Sequence, residues 1–197
     1  LRLGSTTRLR DAFTRCYHGD VYAVAYVVLN PSGSVVLHPP RMNKDELLEV
    51  EAHGYRLVFG TRWADIDEPG HVGLADERWA MYREVLGDID GASYRTRGGA
   101  RIVQAYTRLI GPAEYEVSIE RWLQELRSAF KSVPNVVIDA SCSDWTRLMR
   151  VPRCLREDDG HITSTWDTQV NADRLVCLDA GDCTPPMLKV MGSPTRK

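Results

Sequence analysis

Three aspartates and a set of arginines carry the residue types and spacings that do chemistry in this chain. Asp65 and Asp67 stand two apart in Ala64-Asp65-Ile66-Asp67, at the end of an apolar run that begins at Arg56. On an extended backbone both carboxylates point to one face, with their α-carbons about 6.5 Å apart. Such a pair can converge on two metal ions about 3.5–4 Å apart while Ile66 packs behind them. A third acid, Asp139, closes the run Val136-Val137-Ile138, and a charge at the end of a buried strand must be paired or placed on a metal. Downstream, Ser143 or Asp144 is expected to cap a short helical turn from which Arg147 and Arg150, three apart, project together. One carboxylate beside two guanidiniums can hold a divalent cation and the phosphates bound to that cation.

A second cationic stretch is Ser93 to Tyr106, read as a loop entering a strand, with Arg95, Arg97, Gly98, Gly99 and Arg101. Paired glycines let the backbone approach a phosphate closely, and the flanking arginines add charge. The same pair also makes an ordinary bulge at a strand's start. Asp-x-Asp is equally ambiguous, because it is common in turns and Pro69-Gly70 follows it. Asp88 and Asp90 repeat the spacing between Gly87 and Gly91 with no strand before them, so they read as solvated.

The elements that must position these residues form a mixed pattern. Leu9, Phe13 and Tyr17 fall at helical spacing within Thr6 to Tyr17. Val21 to Leu29 reads as a strand that Asn-Pro-Ser-Gly turns back into Ser34 to His38, a hairpin ended by Pro39-Pro40. Asn43 caps a helix that closes at Gly54. A strand from Arg56 to Ile66, interrupted at Gly60, precedes a helix over Leu74 to Leu86 whose Trp79 and Tyr82 face the core. Pro112 to Phe130 is a strongly amphipathic helix with Tyr115, Ile119, Trp122, Leu123 and Leu126 on one side. Short β segments are expected at His161 to Trp166 and Asp173 to Leu178. Helices and strands in this order make the fold class α+β.

Composition narrows the function classes. The net charge is −2, which argues against a sequence-independent DNA coat. Its distribution is polar: residues 62–90 carry a net of −5 and residues 95–156 a net of +5. An acidic half meeting a basic half suits metal on one side and phosphate on the other. Of 25 basic residues 21 are arginine, the side chain that binds phosphate bidentately. Five cysteines without a C-x-x-C pair favour reduced thiols over a disulfide framework or a zinc site, with Cys154, His161, Cys177 and Cys183 badly spaced for one. No apolar run approaches the roughly 20 residues of a membrane helix, so a cytoplasmic protein with no membrane partner is expected.

Ile138-Asp139, Arg147 and Arg150 followed by Val151-Pro152-Arg153 resemble the third motif of archaeo-eukaryotic primases, most closely the primase-polymerase domains of phage and plasmid replication proteins. Asp65-Ile66-Asp67 is similar to that family's first motif, an acid, any residue and an acid ending a core strand. Gly99-Ala100-Arg101 looks like its second, in which histidine stands where this chain has Arg101. The exchange removes a hydrogen-bond acceptor and keeps a permanent cation. The resemblance runs from about Arg56 to Arg156.

It implies the primase-polymerase fold: a small αβ module and an RNA-recognition-motif-like palm, with two sheets flanking a cleft. Residues 1–183 would be one catalytic domain, about 1–54 in the small module and 55–183 in the core. Residues 184–197 would be a linker toward a helicase or other domain of a longer protein. The implied activity is that of a DNA primase and DNA polymerase, acting on single-stranded DNA template, primer and dNTP or rNTP in a bacterial or phage-infected cell. Asp65, Asp67 and Asp139 would hold two Mg²⁺ or Mn²⁺ ions. Arg101, Arg147, Arg150 and Gly99 would bind nucleotide, and Arg97 and Arg153 would contact DNA. Two other classes share these residues: a non-catalytic nucleic-acid-binding domain of a replication initiator, and a metal-dependent phosphohydrolase that needs no template.

Overall fold

The computed structural model describes residues 17–18, 22–36, 42–70, 74–96, 98–150, 152, 154–158, 161–163, 170–171 and 190–191. Within them the chain runs β1 (Tyr17–His18), β2 (Tyr22–Ala23), β3 (Tyr26–Leu29), β4 (Val35–Val36), α1 (Lys44–Ala52), β5 (Arg56–Asp67), α2 (Asp76–Gly87), β6 (Ala92–Arg95) and β7 (Gly99–Ile110). It continues through α3 (Pro112–Ala129), β8 (Val137–Ile138), β9 (Met149–Arg150), β10 (Cys154–Asp158), β11 (His161–Thr163), β12 (Val170–Asn171) and β13 (Val190–Met191). Short 3-10 turns occupy Phe130–Ser132 and Ala140–Ser143. The class is α+β, as the sequence pattern implies.

Local chemistry sets α1. The Asn43 side chain accepts from the Glu46 N–H at 2.9 Å and the Glu46 carboxylate accepts from the Asn43 N–H at 2.9 Å, a reciprocal cap on the first turn. Gly54, at φ +81°, takes the left-handed conformation that lets the chain leave the helix for β5. The segment β5-α2-β6-β7-α3-β8 then has βαββαβ order, with strands lying side by side as β8-β5-β7-β6 and every neighbour antiparallel. β3 pairs with the first half of β5, so residues 26–36 extend this sheet. β1, β10 and β11 form a second sheet, and β2 pairs with β9.

One irregularity governs which side chains face where. The register of β5 against β7 shifts between Phe59 and Thr61, where Gly60 alone stands against residues 106–109, so the ladder bulges there with the extra residues on β7. Before it, Phe59 stacks on Tyr115 of α3 at 4.0 Å between ring centroids. After it, Arg62 reaches the same helix, donating to the Ser118 hydroxyl at 2.8 Å and lying 4.6 Å from the Trp122 ring centre. Odd residues therefore face the helices before the bulge and even residues after it. Without this irregularity, period-two alternation along β5 would turn Asp65 under α3. With it, Ala64 and Ile66 fill the core while Trp63, Asp65 and Asp67 move to the opposite face.

Several expected elements differ. Ser93 to Tyr106 is two strands joined by a tight turn, because Tyr94 and Arg95 pair with Arg101 and Ala100 across a hairpin. Val21 to Leu29 breaks into β2 and β3. Residues after Asp139 do not make a helical turn carrying Arg147 and Arg150: Asp139 itself caps the 3-10 turn, Arg147 follows a bend at Trp145–Thr146, and Arg150 lies in β9. The helix over Thr6 to Tyr17, the strand at Asp173 to Leu178 and the tail 184–197 lie outside the described residues, apart from Tyr17 in β1 and Val190–Met191 in β13. Trp79 and Tyr82 are core residues, and Asp88 and Asp90 are exposed. No described helix is long and apolar enough to cross a membrane.

Gly99 has a packing reason to be glycine. A Cβ there would press into the Ile66 carbonyl oxygen and come within 3.1 Å of the Asp67 α-carbon, both backbone atoms that cannot swing aside. Gly99→Ala is expected to cost about 3 kcal/mol, the upper end for overpacking, read as a lowered midpoint in chemical denaturation.

Candidate metal centre

Strand register brings the acids together. Asp65 lies directly opposite Arg101 of β7, and Arg101 lies opposite Tyr94 of β6. On the other side the ladder between β5 and β8 continues past Ile138, with the Asp139 N–H donating to the Asp65 carbonyl at 3.0 Å. Tyr94, Arg101, Asp65 and Asp139 thus form one row across four strands. Directly opposed side chains on one face stand close enough to interact, and here they do.

Arg101 grips Asp65 with a two-pronged fork: Nη2 donates to Oδ2 at 2.7 Å, and Nε donates to Oδ1. Its remaining nitrogen donates to the Arg150 carbonyl at 3.0 Å, beside the Tyr94 hydroxyl, which donates to the same carbonyl at 2.7 Å. Trp63 lies under the guanidinium, 5.1 Å from the ring centre. Burial works against a charged Arg101, but the Tyr94 and Asp65 oxygens outweigh it and hold its pKa above the ordinary arginine range.

Arg147 serves the other side. Its Nη2 donates to Asp139 Oδ2 at 2.7 Å and stands 3.9 Å from Asp65 Oδ2, while Asp139 Oδ1 accepts from the Ser141 N–H and hydroxyl at 2.8 and 2.7 Å. Partial burial would raise the Asp139 pKa, but these bonds and the Arg147 charge bring it below the usual value. Asp67 has no such help. No described residue donates a hydrogen bond to its carboxylate, and burial, with Asp65 and Asp139 nearby, pushes its pKa up to about 6. Its partner across β7 is Gly99, which has no side chain to fill the space.

Cys142 is the residue that motif reasoning passed over. One ligand atom each from Asp65, Asp139 and Cys142 fall within 4.8 Å of one another. The sulfur accepts from the Asp65 N–H at 3.3 Å, and burial, then the Asp65 charge, pushes the thiol up to about 12. It stays protonated near neutral pH and acts as a spacer between strand and turn. Trp63 was legible in principle, since it lies two residues before Asp65 on the same face.

Of the expected site residues, the structure gathers Asp65, Asp67, Asp139, Arg101 and Arg147, with Arg150 joining through its carbonyl. Gly99 sits beside Asp67 for the packing reason given above. Arg97 and Arg153 lie outside the described residues. No family model matches this chain, and no curated protein or solved structure matches it either.

The raised Asp67 pKa has a sign. An ionised Asp67 is disfavoured in the folded protein, so the stability gained by its protonation is complete below the unfolded value of 3.8 and lost as pH rises through about 6. In metal-free protein, Asp67→Asn is expected to raise Tm by a few degrees at pH 7–8. The gain should shrink as the pH approaches 4, which thermal melts across that range will check.

Proposed function

We propose that this chain carries the catalytic core of a template-directed nucleotidyltransferase, a DNA primase and polymerase of the archaeo-eukaryotic primase-polymerase kind. The observation that carries this reading is the delivery of Asp65, Asp67 and Asp139 to one end of a βαββαβ sheet, with Arg147 beside them. That strand order is compatible with an RNA-recognition-motif-like palm, and the three acids are the ones the resembled motifs contain.

The donors fit a hard divalent cation, Mg²⁺ or Mn²⁺. They are carboxylate oxygens, and burial with the nearby Asp65 and Asp139 charges raises the Asp67 pKa despite the pull of Arg101 and Arg147. Bound there, such an ion would lower the pKa of an attacking 3′-hydroxyl and neutralise charge on the triphosphate. The chain's own residues do the remaining work. Ile66, Ala100 and Ile138 hold the ligand-bearing strands rigidly from behind, all three buried. Arg147, a third exposed, can turn from Asp139 to a phosphate with no backbone movement. In the reaction the 3′-oxygen bonds to the α-phosphorus, pyrophosphate leaves, and the hydroxyl proton passes to solvent.

The test is incubation with labelled nucleotides, Mg²⁺ or Mn²⁺ and single-stranded DNA, with and without primer. Template-dependent incorporation that disappears in Asp67→Ala is the expected result. Hydrolysis of nucleotide without template would move the reading to a phosphohydrolase. DNA binding with no turnover would make the chain a nucleic-acid-binding domain. Arg147→Ala is expected to raise the KM for nucleotide by tenfold or more, the equivalent of about 1.5–3 kcal/mol for a charge-assisted contact. Weaker DNA binding at unchanged KM would assign Arg147 to the template strand instead.

A further inference from the structure

Arg101 is placed unlike an arginine waiting for a phosphate. Three of its nitrogens are engaged at once, by both oxygens of Asp65 and by the Arg150 carbonyl, and Trp63 supports the plane from below. Its side chain is 14 % exposed and that of Asp65 is 8 % exposed. A divalent ion on Asp65 would have to share these oxygens with a buried guanidinium and meet its positive charge at close range. Swinging Arg101 away would leave the buried Asp65 carboxylate without its paired donors, while the Arg150 carbonyl would keep the Tyr94 hydroxyl.

Among the described residues, the other end of the acid pair carries no such clamp. Asp67 faces Gly99 across one strand boundary and Val137, 49 % exposed, across the other. Asp139 is held by Ser141 on one oxygen and on the other by Arg147, whose side chain is 34 % exposed against 14 % for Arg101. Three carboxylates and two guanidiniums leave one negative charge in the centre. One divalent ion reverses that excess; two would leave a strongly positive cluster.

We infer that the Arg101 guanidinium fills the cation position at Asp65, so that this centre takes one divalent ion, on Asp67 and Asp139, where the resemblance implies two. The inference rests on the proposed metal-dependent function and concerns how many ions the chain binds. Arg101 is then a fixed charge at the centre, contributed by the protein itself.

Ion counting tests it without turnover. Mn²⁺ is titrated into the full chain and the free ion followed by electron paramagnetic resonance. The expected result is one Mn²⁺ per chain, with affinity lost at least tenfold more in Asp67→Asn, which removes a ligand, than in Asp65→Asn, which removes only one charge of the centre. Arg101→Ala should bind a second ion; because that variant strands Asp65 and can unfold, the two aspartate variants carry the test independently. Two ions on the wild-type chain, or equal loss in Asp65→Asn and Asp67→Asn, would overturn the inference while leaving metal-dependent catalysis in place. A folded Arg101→Ala that binds one ion only would also overturn it. Failure of every form to bind Mn²⁺ would remove the metal reading together with this inference.

Discussion

The register of β5 against its two neighbours is the constraint on which the site depends. One row of side chains crosses four strands, Tyr94 to Arg101 to Asp65 to Asp139, and each step is fixed by backbone pairing. A slip of one residue on any boundary would send half the row to the helix face. The irregular pairing between Phe59 and Thr61 sets the phase of the row, because it lets one strand serve Tyr115 with Phe59 and the acid cluster with Asp65. Gly99 is part of the same constraint, since only a residue without Cβ lets β7 approach Ile66 and Asp67 closely enough to keep the pairing.

Electrostatics follows from that geometry. Packing three carboxylates into a partly buried space is costly unless each is compensated, and desolvation makes an unpaired buried charge expensive. The fold divides the task unevenly. Asp65 receives a full arginine fork, Asp139 receives a 3-10 turn and an arginine a third exposed, and Asp67 receives neither. The more buried of the two guanidiniums is thus locked, and one acid is left without a donor among the described residues. Rigidity at Arg101 and the raised pKa of Asp67 are two outcomes of one arrangement.

Much of the local structure was legible in residue order. The Asn43 cap, the α3 stripe of Tyr115, Ile119, Trp122, Leu123 and Leu126, and the turn at Gly54 each follow from interactions within a few residues. The candidate acids were legible too, because Asp-x-Asp at the end of an apolar run leaves few alternatives for a strand. The hairpin β6-β7 was misread because Gly98-Gly99 looks the same whether it opens a strand or turns between two. The expected pairing of Arg147 with Arg150 on a helical turn failed because the 3-10 turn that Asp139 opens stops at Ser143, before either arginine, and Arg150 enters β9.

What the sequence determined by itself was the three helices over Lys44–Ala52, Asp76–Gly87 and Pro112–Ala129, the α+β class and the residue types available for chemistry, since periodicity and capping act over a few residues. What only the tertiary structure decided was who faces whom. Arg101 is 36 residues from Asp65 along the chain, and nothing local distinguishes an arginine free to bind phosphate from one clamped on a carboxylate. Strand pairing decided it, because directly opposed positions on one sheet face share a few ångströms, and the nearest opposite charge in a half-buried setting takes the contact.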